Sequence, residues 1–159
     1  MRLSLLHKNA LVGGASAGIG LAAAKELALL GANVILLARN ESKLIEAMHS
    51  LDTAQGQQHD YVVADYSDGI TLQERAQALV RERPIHILVN NTGGPPGGPI
   101  TEALTKNFSQ AYHNHLICNQ LLAQLVLPGM KSAGYGRIIN IISTSVKEPL
   151  ENLGVSNTT

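Results

Sequence analysis

The stretch GGASAGIG, Gly13 to Gly20, constrains this chain more than any other. It follows a short apolar run ending in ALVGG (Ala10–Gly14) and opens IGLAAAKELALLG, which reads as a helix with Gly31 at its C-cap. Gly14, Gly18 and Gly20 have the spacing G-x-x-x-G-x-G. A strand that turns through such glycines into a helix leaves free N–H groups at the positive helix end, where a diphosphate binds. One glycine permits the tight turn, one lets the backbone approach the pyrophosphate, and one lets helix and sheet pack closely. The strand before and the helix after separate this loop from a chance glycine trio. Gly14, Ser16, Gly18, Ile19 and Gly20 are the expected phosphate-side contacts.

The rest of the chain alternates between two hydrophobic patterns. NVILLA (Asn33–Ala38) is a continuous apolar run, as in a strand buried on both faces. ESKLIEAMHSL places Leu44, Ile45, Met48 and Leu51 on one helical stripe, behind Asn40 as N-cap. DYVVAD is the third strand, and GITLQERAQALVRER the next helix, with Leu72, Ala76, Leu79 and Val80 aligned and Pro84 as its stop. IHILVNN, the fourth strand, leads into the loop TGGPPGGP. A long helix is expected from about Thr105 to Ser132, bent near Pro128-Gly129, and GRIINII is the fifth strand. Right-handed crossovers make this order an α/β fold: one Rossmann-type domain over residues 1–159. The expected sheet is parallel and doubly wound, in the order 3-2-1-4-5, with ligands at the carboxyl ends of its strands.

Composition narrows the partners. Twelve Lys+Arg balance twelve Asp+Glu, and aromatics are 3% of residues with no Trp. A nucleic-acid binder needs a basic face or stacking platforms, and neither is available. Cys118 is the only cysteine, so no disulfide forms within the chain, and its helical surroundings make it a buried small hydrophobe. His7, Lys8 and Asn9 interrupt the N-terminal apolar run, so it does not read as a signal peptide. No apolar stretch is long enough to span a bilayer, and no metal site is expected. The expected location is the cytoplasm.

The end of the second strand bears on cofactor choice. A carboxylate about 20 residues beyond the loop would bind a ribose 2′-hydroxyl and select NAD. Ala38, Arg39 and Asn40 stand there instead. A guanidinium pairs with a 2′-phosphate, which predicts NADP(H) over NAD(H). The competing reading of Arg39 is a solvated surface cation.

GGASAGIG, LLARNESKL, VVADYSD, LVNNTGG and GYGRIINIIS follow in the order and spacing of the short-chain dehydrogenase/reductase family. The chain resembles its 3-oxoacyl-[acyl-carrier-protein] reductase type. The resemblance implies that Asp65 accepts from the adenine amino group, with Tyr66 beside it. It implies that Asn90, Asn91 and the adjoining Gly93 border the nicotinamide side. Ser143 stands where the family has its substrate-orienting serine, whose hydroxyl can donate to a developing alkoxide. Apolar positions on the long helix, such as the Leu121–Leu127 region, point to pairing with another subunit, the competing reading being packing against the sheet; the resemblance implies a homo-oligomer, a dimer or tetramer, with that helix in the interface.

The departures sit at the chemistry. Gly13 stands where the family usually has threonine, and Thr92 where it usually has alanine. His115 occupies the position of the family's relay asparagine. An imidazole can move protons near neutrality, the competing reading being a packing histidine. The family's general acid is a tyrosine of a Y-x-x-x-K motif, thirteen positions after the serine. That position is Ser156, the partner lysine would fall beyond Thr159, and no tyrosine follows Tyr135. A serine hydroxyl is a much poorer acid than a phenol beside a lysine. Two readings stay open. One is an atypical NADP(H)-dependent oxidoreductase for a carbonyl or alcohol substrate, with Ser143, His115 and Ser156 as catalytic candidates. The other is an NADP(H)-binding module, a sensor or supporting subunit, without turnover. The C-terminal part of the family fold is missing from these residues, which would leave the fifth strand as an open apolar edge. The chain is therefore expected to be part of a longer polypeptide; an intact mass near 16.9 kDa would count against that.

Overall fold

A computed structural model describes residues 3–159. The strands are β1 (Asn9–Gly13), β2 (Asn33–Ala38), β3 (Asp60–Val63), β4 (Ile87–Asn90) and β5 (Arg137–Asn140). The helices are α1 (Gly18–Leu29), α2 (Glu41–His49), α3 (Gly69–Glu82), α4 (Thr105–Tyr112) and α5 (Cys118–Ser132). All strand pairs are parallel, and the sheet order is β3-β2-β1-β4-β5, as the alternation of patterns predicts.

Period-two alternation explains why the central strands are apolar throughout. In β2, Val34 and Leu36 face one core with Val12, Ala24, Ala28 and Leu44, while Ile35 and Leu37 face the other with Leu11, Leu72, Leu88 and Leu122. The first core lies under α1 and α2, the second under α3 and α5. Each fully buried leucine or valine contributes roughly 1.5–3 kcal/mol, so the paired cores hold β1, β2 and β4 rigid. The site is built on the carboxyl ends of those strands.

Local signals set the helix ends. Asn40 caps α2 by accepting from Lys43 N–H at 3.0 Å, and Asp68 caps α3 by accepting from Thr71 N–H at 3.1 Å. Gly31 follows α1 at φ +96°, the left-handed stop its place after the apolar run predicts. β4 is shorter than its apolar run, because ladder pairing ends before burial does. Ile85, for example, is buried outside β4.

The long helix differs from expectation. Its irregular turn is a π-helical segment at His113–Ile117, between α4 and α5, while α5 continues through Pro128 to Ser132. Pro128 is exposed, and the carbonyl it leaves free belongs to the exposed Gln124, so water can satisfy it. The apolar side chains of the Leu121–Leu127 region are mostly packed: Leu122 and Val126 are buried, and among them Leu127 alone is exposed. Exposed apolar side chains gather earlier, at Tyr112, Leu116 and Ile117. β5 lies at the sheet edge, with Ile138 and Ile139 exposed. Cys118 is buried, as its helical setting implies, and its thiol donates to Tyr66 O at 3.3 Å.

Candidate active site

The glycine loop carries the site. Gly14 and Gly18 adopt φ +57° and +58°, conformations that favour glycine. A Cβ on Gly14 would lie 2.6 Å from Asn91 Nδ2, and one on Gly20 would lie 2.7 Å from the Gly14 carbonyl carbon. A Cβ on Gly18 would meet nothing within 4 Å, so that side of the loop is open. Gly14 and Gly20 serve close approach, and Gly18 serves conformation.

The start of α1 is left electrostatically unfilled. Its N-cap is Ala17, no side chain caps it, and no acid lies in its first turn. The first i→i−4 bond runs from Leu21 N–H to Ala17 O, so the N–H groups of Gly18, Ile19 and Gly20 lack backbone acceptors. Open space before free donors at the positive helix end suits a diphosphate. These residues fit a dinucleotide.

The loop lies between β1 and β4, where the winding of the sheet reverses and α/β folds bind ligands. Asn91 Nδ2 donates to Gly13 O at 3.1 Å and ties the β4 loop to the glycine turn. Asn90 Nδ2 donates to Asn140 Oδ1 at 2.9 Å, linking β4 to β5. A cavity of about 560 Å³ opens beside them. Ile19, Asn90, Asn91, Thr92, His115, Ser143 and Ser156 all line it, so seven of the residues singled out in the sequence come together. Gly14, Ser16, Gly18 and Gly20 form the turn that carries Ile19, which is 63% exposed. Gly93 is exposed, between the lining residues Thr92 and Gly94.

Ser143 precedes the 3-10 turn Thr144–Val146. Its Oγ accepts from Ser145 N–H at 3.1 Å and from Ser145 Oγ at 2.8 Å. Both acceptor positions are then used, and the Ser143 proton is left to donate into the cavity. His115 lies on the π turn with Nδ1 2.5 Å from Thr92 Oγ1. Burial pushes its pKa below the usual histidine value. Asn119 Nδ2 donates to His115 O at 2.6 Å.

Arg39, Asn40, Asp65 and Tyr66 also stand apart from the cavity lining. Arg39, 81% exposed, follows β2, and its Nη1 is 3.9 Å from Asp65 Oδ2 beyond β3. Such an exposed pair is worth about 0–1 kcal/mol, so a phosphate can displace it. Asn40 spends its side-chain oxygen on the α2 cap, accepting from both Lys43 N–H and Ser42 Oγ. Tyr66, predicted beside the adenine, is 8% exposed, and its hydroxyl is buried without a partner against Gly13.

Sequence reasoning missed the Thr92–His115 contact, the Asn119 bond and a strap across the loop. Gly98 forms a parallel bridge with Leu153; Gly98 N–H donates to Asn152 O at 2.6 Å and Gly154 N–H to Gly98 O at 3.2 Å. The glycine-proline loop is thereby pinned to the C-terminal residues. Glycine at 98 and 154 was the only signal for it.

The family model described as short chain dehydrogenase matches residues 8–156. This chain belongs to the short-chain dehydrogenase family. It is 33% identical over 146 residues to the human inactive hydroxysteroid dehydrogenase-like protein 1, covering 91% of this chain and 44% of that protein. It is 31% identical over 147 residues to the ketoacyl reductase HetN of Nostoc, covering 91% and 50%. The crystal structure of L-sorbose reductase from Gluconobacter frateurii, complexed with NADPH and L-sorbose, superposes with a TM-score of 0.92 at 32% identity. That match covers all of this chain and 61% of the reductase. The chain spans about half the length of the curated relatives it matches. Among the described residues no helix is long and apolar enough to cross a membrane, and no cluster of side chains could hold a metal ion.

Proposed function

We propose that this chain binds NADP(H) and serves an oxidoreductase that interconverts a carbonyl and an alcohol. The observation that carries the reading is the open glycine turn, with its acceptor-free N–H groups and Arg39 exposed at the end of the neighbouring strand. A bound nicotinamide nucleotide supplies or accepts the hydride. The turn would hold the diphosphate, Arg39 the 2′-phosphate, and Asp65 the adenine amino group. Ser143 would donate to the substrate oxygen, placing the reacting carbon for transfer. The NADPH in the sorbose reductase complex supports the cofactor choice. Exposed Tyr112, Leu116 and Ile117 support a homo-oligomer through α4 and the π turn. The absence of a helix able to cross a membrane among the described residues is compatible with a cytoplasmic setting.

A second reading has its own support. Ser156 stands at the position where the family has its acid tyrosine, and a relative at 33% identity is named inactive. The chain would then bind NADP(H) as a sensor or supporting subunit. NADPH oxidation with a panel of ketones, measured beside cofactor affinity, separates the two. Turnover that falls in Ser143→Ala supports the enzyme, and tight binding without turnover supports the module. No binding of NADPH overturns both.

A further inference from the structure

We propose that Thr92 is a positioning residue that holds His115 by Nδ1 and thereby presents Nε2 to the cavity as its proton-exchanging atom. This rests on the oxidoreductase reading for its chemistry, and on geometry for the residue assignment. Thr92 follows β4 by two residues, and His115 lies on the π turn between α4 and α5. Sequence separation is 23 residues, yet Thr92 Oγ1 and His115 Nδ1 lie 2.5 Å apart. The His115 carbonyl is bonded as well, accepting from Asn119 Nδ2 at 2.6 Å. Ring and backbone are therefore both held, while Nε2 has no hydrogen-bond partner among the described residues.

Charge surroundings make this histidine the proton carrier available to the cavity. Among the described lining residues there is no Asp, Glu, Lys or Arg, and His115 is the one titratable side chain. His113, on the same turn, packs toward Gly69 at the start of α3 and does not line the cavity. Burial lowers the pKa of His115.

A hydroxyl suits the task because it both donates and accepts. The imidazolium has protons on both nitrogens, so Nδ1–H must donate to Thr92 Oγ1 in that state. If the neutral ring keeps Nδ1–H on Thr92, the Nε2 lone pair is free to take a proton back. In reduction, the carbonyl carbon gains the hydride and its electron pair from the nicotinamide nucleotide. The C–O π pair moves to oxygen, and that oxygen takes the Nε2 proton, leaving neutral His115. Oxidation runs the same steps in reverse.

The test is long-range ¹H–¹⁵N NMR of the histidine rings, with steady-state kinetics on Thr92→Val and Thr92→Ser. We expect neutral His115 to carry its proton on Nδ1, and Thr92→Val to move it to Nε2. Reductive kcat should fall at least about tenfold in Thr92→Val, with KM and NADPH affinity within about twofold, and Thr92→Ser should recover it. Reductive kcat draws on the imidazolium, so it should decline as pH rises through a pKa below 6.5. A wild-type neutral ring protonated on Nε2, or a tautomer unchanged by Thr92→Val, overturns the assignment. If Thr92→Val does not fold, the wild-type spectrum alone decides it. A tautomer that moves in a chain that turns over no ketone supports the positioning by Thr92 and counts against the oxidoreductase reading.

Discussion

Tyr66→Phe removes one oxygen atom, and the structure says that the protein becomes more stable without it. The Tyr66 hydroxyl is buried with no hydrogen-bond partner, and burial drives its pKa upward. An orphaned buried hydroxyl costs about 1–3 kcal/mol, against a few tenths for the dispersion contacts that its oxygen makes. Tyr66→Phe should gain about 1 kcal/mol, raising Tm by about 2–4 °C for a chain of this size. The partner in the argument is Gly13, whose Cβ would collide with that same hydroxyl and lie 2.8 Å from Asn91 O. Gly13→Ala alone should cost about 1–3 kcal/mol as overpacking. In the Tyr66→Phe background only the Asn91 contact remains, so the double mutant should lose less than the sum by more than about 0.5 kcal/mol. Urea unfolding of the four proteins measures each term. Additive effects, or a Tyr66→Phe protein that is less stable and also binds NADPH more weakly, would refute the reasoning. The hydroxyl would then be bonded to the cofactor.

Gly20→Ala should lower stability by about 1–3 kcal/mol and weaken NADPH binding, because its Cβ would press on Gly14 and Gly13 carbonyls; thermal unfolding and titration read both. Arg39→Ala should weaken NADPH binding about tenfold or more and leave NADH affinity nearly unchanged, since the bond lost is a charge-assisted one to the 2′-phosphate. Equal losses for the two cofactors would return Arg39 to a solvated cation. Burial, then the Lys8 charge, lowers the pKa of His86, whose Nδ1 accepts from Asn9 N–H at 3.0 Å. The folded state keeps this ring neutral while the unfolded chain protonates near pH 6.5, so stability should be full above that pH and fall below it. A urea midpoint that is flat from pH 7 to 5 would sink the prediction.

Much of the fold was readable because its signals are local. β2 announces itself as six apolar residues, Asn40 and Asp68 sit where caps belong, and Gly14, Gly18 and Gly31 take the positive φ values that their placement implied. The π turn at His113–Ile117 has no such mark. Pro128 drew attention as the breaker instead, although an exposed proline late in a helix can be accommodated where water reaches the freed carbonyl. The phosphate turn was legible for the same reason as the strands, since its glycines, its strand and its helix are contiguous. The chemistry was not, because His115 and Thr92 meet only when a helix and a strand end are brought together by the sheet.

That meeting gives physical content to residues that looked like separate departures from the family pattern. Threonine at position 13 would place a side chain into the Tyr66 hydroxyl, so glycine there is the consequence of a phenol 53 residues later. Alanine at position 92 would leave His115 Nδ1 without its partner, so a hydroxyl at 92 goes with an imidazole at 115. Each of these two departures meets a particular side chain across the site. Here the exchanged residues satisfy one another at 115 and 92, and the one titratable side chain of the cavity is held by them. That coupling supports the role proposed for the His115 imidazole over one for Ser156.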